Sequence, residues 1–161
     1  MIKDGVYFDA RLPHQWLAEA RQSAFEAARF LHVLAAMEHP VADEPGEHEA
    51  KLDLQLVWLA RLITPQLPPA VPMRIGIEHV VWGQESPLIA GEHGWLGFSP
   101  SATLPYLLTL PAHVVACEPV GRGHRITAHW LIHDDLLKEA FERMVFRHHR
   151  EQIRREREAA T

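Results

Sequence analysis

Residues 106–132 read YLLTLPAHVVACEPVGRGHRITAHWLI, and the reading of this stretch decides the fold. Leu108, Leu110, Ala112, Val114 and Ala116 occupy alternate positions, the period of a half-buried strand. Gly121-Arg122-Gly123 supplies a turn. Ile126, Ala128, Trp130 and Ile132 then alternate with Arg125, Thr127, His129 and Leu131 in a returning strand. Upstream, Met73 to Trp82 is rich in Ile and Val, and Gly91, Gly94, Gly97, Pro100 and Pro105 cut the chain into short segments such as Trp95 to Phe98. Short antiparallel strands with frequent breaks predict a small barrel or sandwich rather than a parallel sheet.

Ahead of Pro65-Gln66-Leu67-Pro68-Pro69, a stiff joint, the period is helical. One helical region is predicted from near Pro13, a residue tolerated in a first turn, to just before Pro40. Within it Leu17, Ala20, Ala24, Ala27, Leu31 and Leu34 form a short heptad seam. Glu38 to His48 is an acidic, proline-broken linker, and a second helix runs from about Glu49 to Ile63. Leu52, Leu56, Leu59 and Ile63 make a seam there, while Leu54, Val57, Trp58 and Leu62 add apolar surface on other faces. A helix apolar nearly all round must be covered on more than one side, which points to self-association through Leu52, Leu56, Leu59 and Ile63 with help from Leu17, Leu31 and Leu34. The alternative is a helical hairpin lying flat on the following domain. The expected organisation is a helical oligomerisation region over 1–65 and a barrel with its C-terminal helix over 71–161. Asp134-Asp135 offers an N-cap for that last helix, whose core face is Leu137, Phe141, Met144 and His148 with Ala140 and Val145. Its end is expected in solvent, held by pairs such as Arg147 with Glu151 and Arg154 with Glu158.

Composition narrows the function. The 161 residues are 47% apolar and carry a net charge of −5, which disfavours general nucleic-acid binding. Seven basic residues against five acidic ones from Lys138 onward read as a solvated helix rather than a phosphate-binding arm. The single cysteine, Cys117, leaves no disulfide framework and reads as a small core residue. No leader-like or membrane-spanning apolar run occurs, so the expected setting is the cytoplasm, away from membranes. Glycine-rich phosphate loops and the G-x-S-x-G elbow are missing from the sequence. The chain has 12 histidines, but His129 with His133 and the adjacent His148-His149 lack the spacing of a helical zinc site. No metal ligand or cofactor is assigned, and no catalytic residue. Exposed histidines are expected to make solubility or assembly respond between about pH 5 and 7.

The chain resembles the PilZ family, and within it the atypical tetramer-forming PilZ proteins of proteobacteria. The resemblance rests on residues 7–16, YFDARLPHQW, then Glu49-Ala50-Lys51-Leu52-Asp53-Leu54, then the hairpin of Ala112 to Cys117 and Ile126 to Trp130, then Phe141-Glu142-Arg143 to Arg150. It implies an α+β fold: a six-stranded antiparallel barrel with an N-terminal heptad-bearing helical region and a C-terminal helix. It further implies a non-enzymatic regulatory or adaptor protein, self-assembled, as a tetramer in that subgroup, and partnered by other signalling or motility proteins. Type IV pili and virulence signalling are the implied settings. Ordinary members bind the second messenger cyclic di-GMP through an R-x-x-x-R pair and a [DN]-x-S-x-x-G segment. Here only Arg74 stands between Thr64 and Arg74. Matching the second motif to Val80 and Trp82 puts Arg74, Gly76 and His79 at the acidic, serine and glycine positions. A four-residue slide gives Glu78, Val80 and Gly83. Each charge-assisted hydrogen bond to such a ligand contributes about 1.5–3 kcal/mol, so losing these groups predicts no micromolar binding. Two alternatives stay open: a relocated nucleotide site built from Arg74, Arg122 and Arg125, and a metal enzyme using the histidines.

Overall fold

The computed structural model describes residues 5–38 and 46–161, so most of the acidic linker and of the chain's opening lies outside the described residues. Six strands close into an antiparallel barrel, β1 (Tyr7–Leu17), β2 (Ala70–Gly76), β3 (His79–Gln84), β4 (His93–Phe98), β5 (Leu108–Val120) and β6 (Gly123–Trp130), in the order β1-β2-β3-β6-β5-β4. Three helices complete the chain: α1 (Ala24–Glu38), α2 (Glu47–Ile63) and α3 (Asp135–Ala160). The β5–β6 hairpin turns through Gly121-Arg122, and Gly121 has φ +59°, which a glycine adopts without strain.

The expected helix from Pro13 to Leu17 is a strand instead. Phe8 is buried and Ala10, Leu12 and Trp16 pack on the core at every second position, a period-two pattern that Pro13 masks. Residues 7–13 pair with β2 and residues 14–17 with β4, so β1 closes the barrel. Proline sits where the partner changes, a place where a missing N–H is tolerated. The barrel therefore begins ahead of the helices, not at residue 71, and Leu17 lies opposite Trp95 on β4 rather than on a helical seam.

The seam on α1 also has a different partner from the one expected. Ala27, Leu31 and Leu34 are almost wholly buried within this one chain, and Ala27 and Leu31 belong to the barrel's apolar core. Leu31 and Leu34 are thus intrachain core residues and present no surface to a second copy. On α3 the Asp134 carboxylate accepts from Leu137 N–H at 2.9 Å, and Leu137, Phe141, Met144 and Val145 cover one end of the barrel. Phe141 meets Trp130 edge-on at 5.2 Å. Arg147 pairs with Glu38 of α1 (Nε to Oε2 3.0 Å), which tethers the two helices. Arg154 does reach Glu158, at 3.4 Å. In β5 a bulge between Val114 and Ala116 reverses the alternation, so Cys117 packs on the core where Ala116 was expected to.

Candidate functional site

Two features stand out on this frame, a cleft on the barrel wall and a helix with little beneath it. The cleft has a volume of about 930 Å³. The register across the barrel wall places Asp9 opposite Arg74 and Arg11 opposite Pro72, while Gly83 lies opposite Arg125. Arg122 projects from the β5–β6 turn at the cleft's far end. Arg74, Arg122 and Arg125, distant in sequence, thus line one cleft together with Arg11. Arg11 and Asp9 escape a sequence reading because their strand looks like the approach to a helix; the alternation Phe8, Ala10, Leu12 is the signal that reveals them.

Arg74 is already engaged. Its Nε donates to Asp9 Oδ1 at 2.7 Å and its Nη2 to Oδ2 at 3.1 Å, a two-pronged ion pair, and its guanidinium lies 4.2 Å from the Tyr7 ring centre. The hydrogen bonds that Arg74 donates to Asp9 raise the Arg74 pKa above its ordinary value. Arg125 stands 3.8 Å from Glu118, the outer limit of an ion pair, and Arg11 donates to the Ala70 carbonyl at 3.0 Å. Arg122 is exposed and has no ion-pair partner among the described residues.

The helix is α2. Leu52, Leu54, Leu56, Trp58, Leu59, Leu62 and Ile63 are 40–77% exposed, and Val57 is its single buried residue. Leu56, Leu59 and Ile63 border an apolar groove of about 350 Å³ shared with Phe30 and Val33 of α1 and with Leu104 to Tyr106. Beside it Phe30 stacks on Tyr106 at 4.2 Å, and the Tyr106 hydroxyl donates to Glu26 at 2.6 Å. Burial and that carboxylate raise the Tyr106 pKa far above its ordinary value, so the phenol stays a donor.

The histidines gather where the sequence does not suggest. His93, His113, His129 and His79 sit on neighbouring strands β4, β5, β6 and β3, each opposite the next. Their ring centres are 5.6, 5.5 and 4.8 Å apart along the row. The signal is pairing register, invisible before strands are aligned. His148 and His149 diverge: His148 Nε2 lies 3.2 Å from Glu38, and His149 Nδ1 donates to the Tyr7 carbonyl at 2.6 Å. Among the described residues no group of three or more His, Cys, Asp or Glu side chains is placed to hold a metal ion.

A closed six-stranded antiparallel barrel, flanked by helices and with arginines along a cleft in its wall, defines a small α+β barrel protein. Residues 31–158 match the sequence model of the atypical PilZ domain, described as a cyclic di-GMP receptor, and the chain belongs to that family. A solved structure with TM-score 0.81 and 28% identity covers 94% of this chain, which in turn covers 91% of that one. It is a pathogenic protein from Xanthomonas campestris, described as a new tetrameric PilZ domain self-assembled through an unusual helical bundle. No curated protein matches the chain. No helix among the described residues is long and apolar enough to cross a membrane.

Proposed function

We propose that this chain is a non-enzymatic, cytoplasmic regulatory adaptor that works as a homo-oligomer built on α2 and acts by binding other proteins. The observation that carries the reading is the apolar surface of α2. Seven large apolar side chains on one short helix stand exposed in the single chain, a patch of the kind that marks a protein interface. The tetramer of the Xanthomonas campestris relative supports assembly through helices. Leu52, Leu56, Leu59 and Ile63 are the contact residues of this proposal, and the groove beside Phe30 receives side chains from a neighbouring copy.

The same proposal holds that the barrel does not take up cyclic di-GMP in the ordinary manner of its family. The paired arginines and the serine of the family motifs have no counterpart in this sequence, and Asp9 occupies the fork of Arg74 with a carboxylate where a phosphate would compete. Titration calorimetry with cyclic di-GMP is expected to give no heat at micromolar concentrations. The convergence of Arg74, Arg122 and Arg125 on one cleft favours a second reading, a relocated nucleotide site. Low-micromolar affinity abolished by Arg74→Ala would establish that second reading instead. For assembly, Leu56→Asp with Leu59→Asp is expected to reduce the native mass in light scattering several-fold. A monomeric wild type, or an unchanged mass, refutes self-association through α2.

A further inference from the structure

The arginine cleft opens where two neighbouring strands part. The β2–β3 ladder runs only from Met73 opposite Trp82 to Ile75 opposite Val80. On either side the barrel wall continues: β1–β2 extends to Pro13 opposite Ala70, and β3–β6 to Gln84 opposite His124. Beyond Trp82, therefore, the flank of β3 that faces β2 has no ladder partner among the described residues at Gly83 and Gln84. The opposing wall starts with Pro72, which has no N–H to offer. Such a splay leaves strand-flank backbone along a groove, the geometry an extended peptide fills by adding a strand.

Charge selects the kind of peptide. Among the described residues Arg11, Arg74, Arg122 and Arg125 line the groove with two carboxylates, Asp9 and Glu85, and Glu118 stands 3.8 Å from Arg125, on a chain whose net charge is −5. The two-pronged Asp9–Arg74 contact shows what this surface recognises, since a carboxylate already sits in one of its forks. Arg122 and Arg125 are exposed at the other end, and Val81 and Val120 between them offer apolar contact.

We infer that this groove docks an extended, acidic segment of a partner protein, lying along the free flank of β3 with its carboxylates on Arg122 and Arg125. The inference rests on the adaptor reading and names the surface that reading needs. The test is fluorescence anisotropy of the full chain with a labelled peptide alternating glutamate and valine, beside the same peptide with glutamine for glutamate. The glutamate peptide is expected to bind, the glutamine peptide not, and Arg122→Glu with Arg125→Glu to weaken binding at least about tenfold. Both positions are exposed, and light scattering and circular dichroism on the same samples verify that the variant keeps its fold and mass. Equal binding of the two peptides, no binding of either, or an unaltered affinity in the variant overturns the inference. Cyclic di-GMP binding that the same variant abolishes also overturns it, because the groove is then a nucleotide site. A monomeric wild type that still binds the peptide breaks the assembly proposal alone.

Discussion

The barrel and helix α2 are built from similarly apolar sequence and come to opposite ends. Inside the barrel, Ile75, Val80, Leu96, Leu110 and Ile126 lose all contact with solvent, and β1 joins β4 so that the sheet closes on itself. On α2, apolar residues of the same kind stay exposed, Leu62 and Ile63 by more than three quarters. The difference teaches that hydrophobic content alone does not place a residue in a core. Closure does: a strand's two faces are inside and outside, and a barrel supplies the inside from its own chain. Helix α2, apolar on most of its sides, has no such enclosure among the described residues of its own chain.

The largest effect that sharpens this contrast compares two leucines. Leu31→Ala removes a fully buried side chain and is expected to cost about 2–5 kcal/mol in denaturant unfolding. Leu59→Ala, on exposed α2, is expected to change the barrel's own unfolding little and to act on native mass instead. Equal losses of barrel stability would break the distinction. Next comes Gly94→Ala on β4. A Cβ there collides with the Trp16 indole, which is pinned by a 2.8 Å hydrogen bond to Glu92 and by stacking on Trp82 at 5.9 Å. Overpacking of this kind costs about 1–3 kcal/mol, seen as a lowered urea midpoint.

The smallest effect is a pH dependence from two partly buried histidines, His79 and His14. Burial, then the neighbouring His129, hold the His79 pKa below its ordinary value, against the pull of Glu78. Burial likewise lowers His14, opposed by Gln84. An unfolded chain then takes up protons at a higher pH than the folded one. The stability involved is complete above the ordinary histidine value of 6.5 and is lost as pH falls from there toward the lower folded values. The melting temperature is therefore expected to drop between about pH 7 and 5, and His79→Gln to flatten that slope. Glu38 acts in a separate, more acidic window. Burial works against its charge, but His148 and Arg147 outweigh it and keep its pKa below the ordinary 4.5, so its contribution disappears only as pH falls below that value.

Much of the fold is legible in the residues. The β5–β6 hairpin, the cap at Asp134 and the exposed apolar helix follow from period, turn chemistry and capping, which are local properties. What is misread has a common cause. Pro13 serves a helix start and a strand's change of partner equally well, and only the presence of β2 and β4 on its two sides separates the readings. The seam of Ala27, Leu31 and Leu34 looks the same whether its partner is a second copy or the chain's own barrel and α3. The cleft is half legible: Arg74, Arg122 and Arg125 can be named in advance, but Asp9 in the fork of Arg74 depends on the β1–β2 register.

By itself, then, the order of residues determined the periodicities, the turns, the caps and the surplus of apolar surface on α2, because each depends on neighbours a few positions away. Tertiary structure alone decided which strand closes the barrel, where β2 and β3 part and which histidines lie side by side. Those are matters of register between distant segments, and register is fixed only when many long-range pairs are satisfied at once.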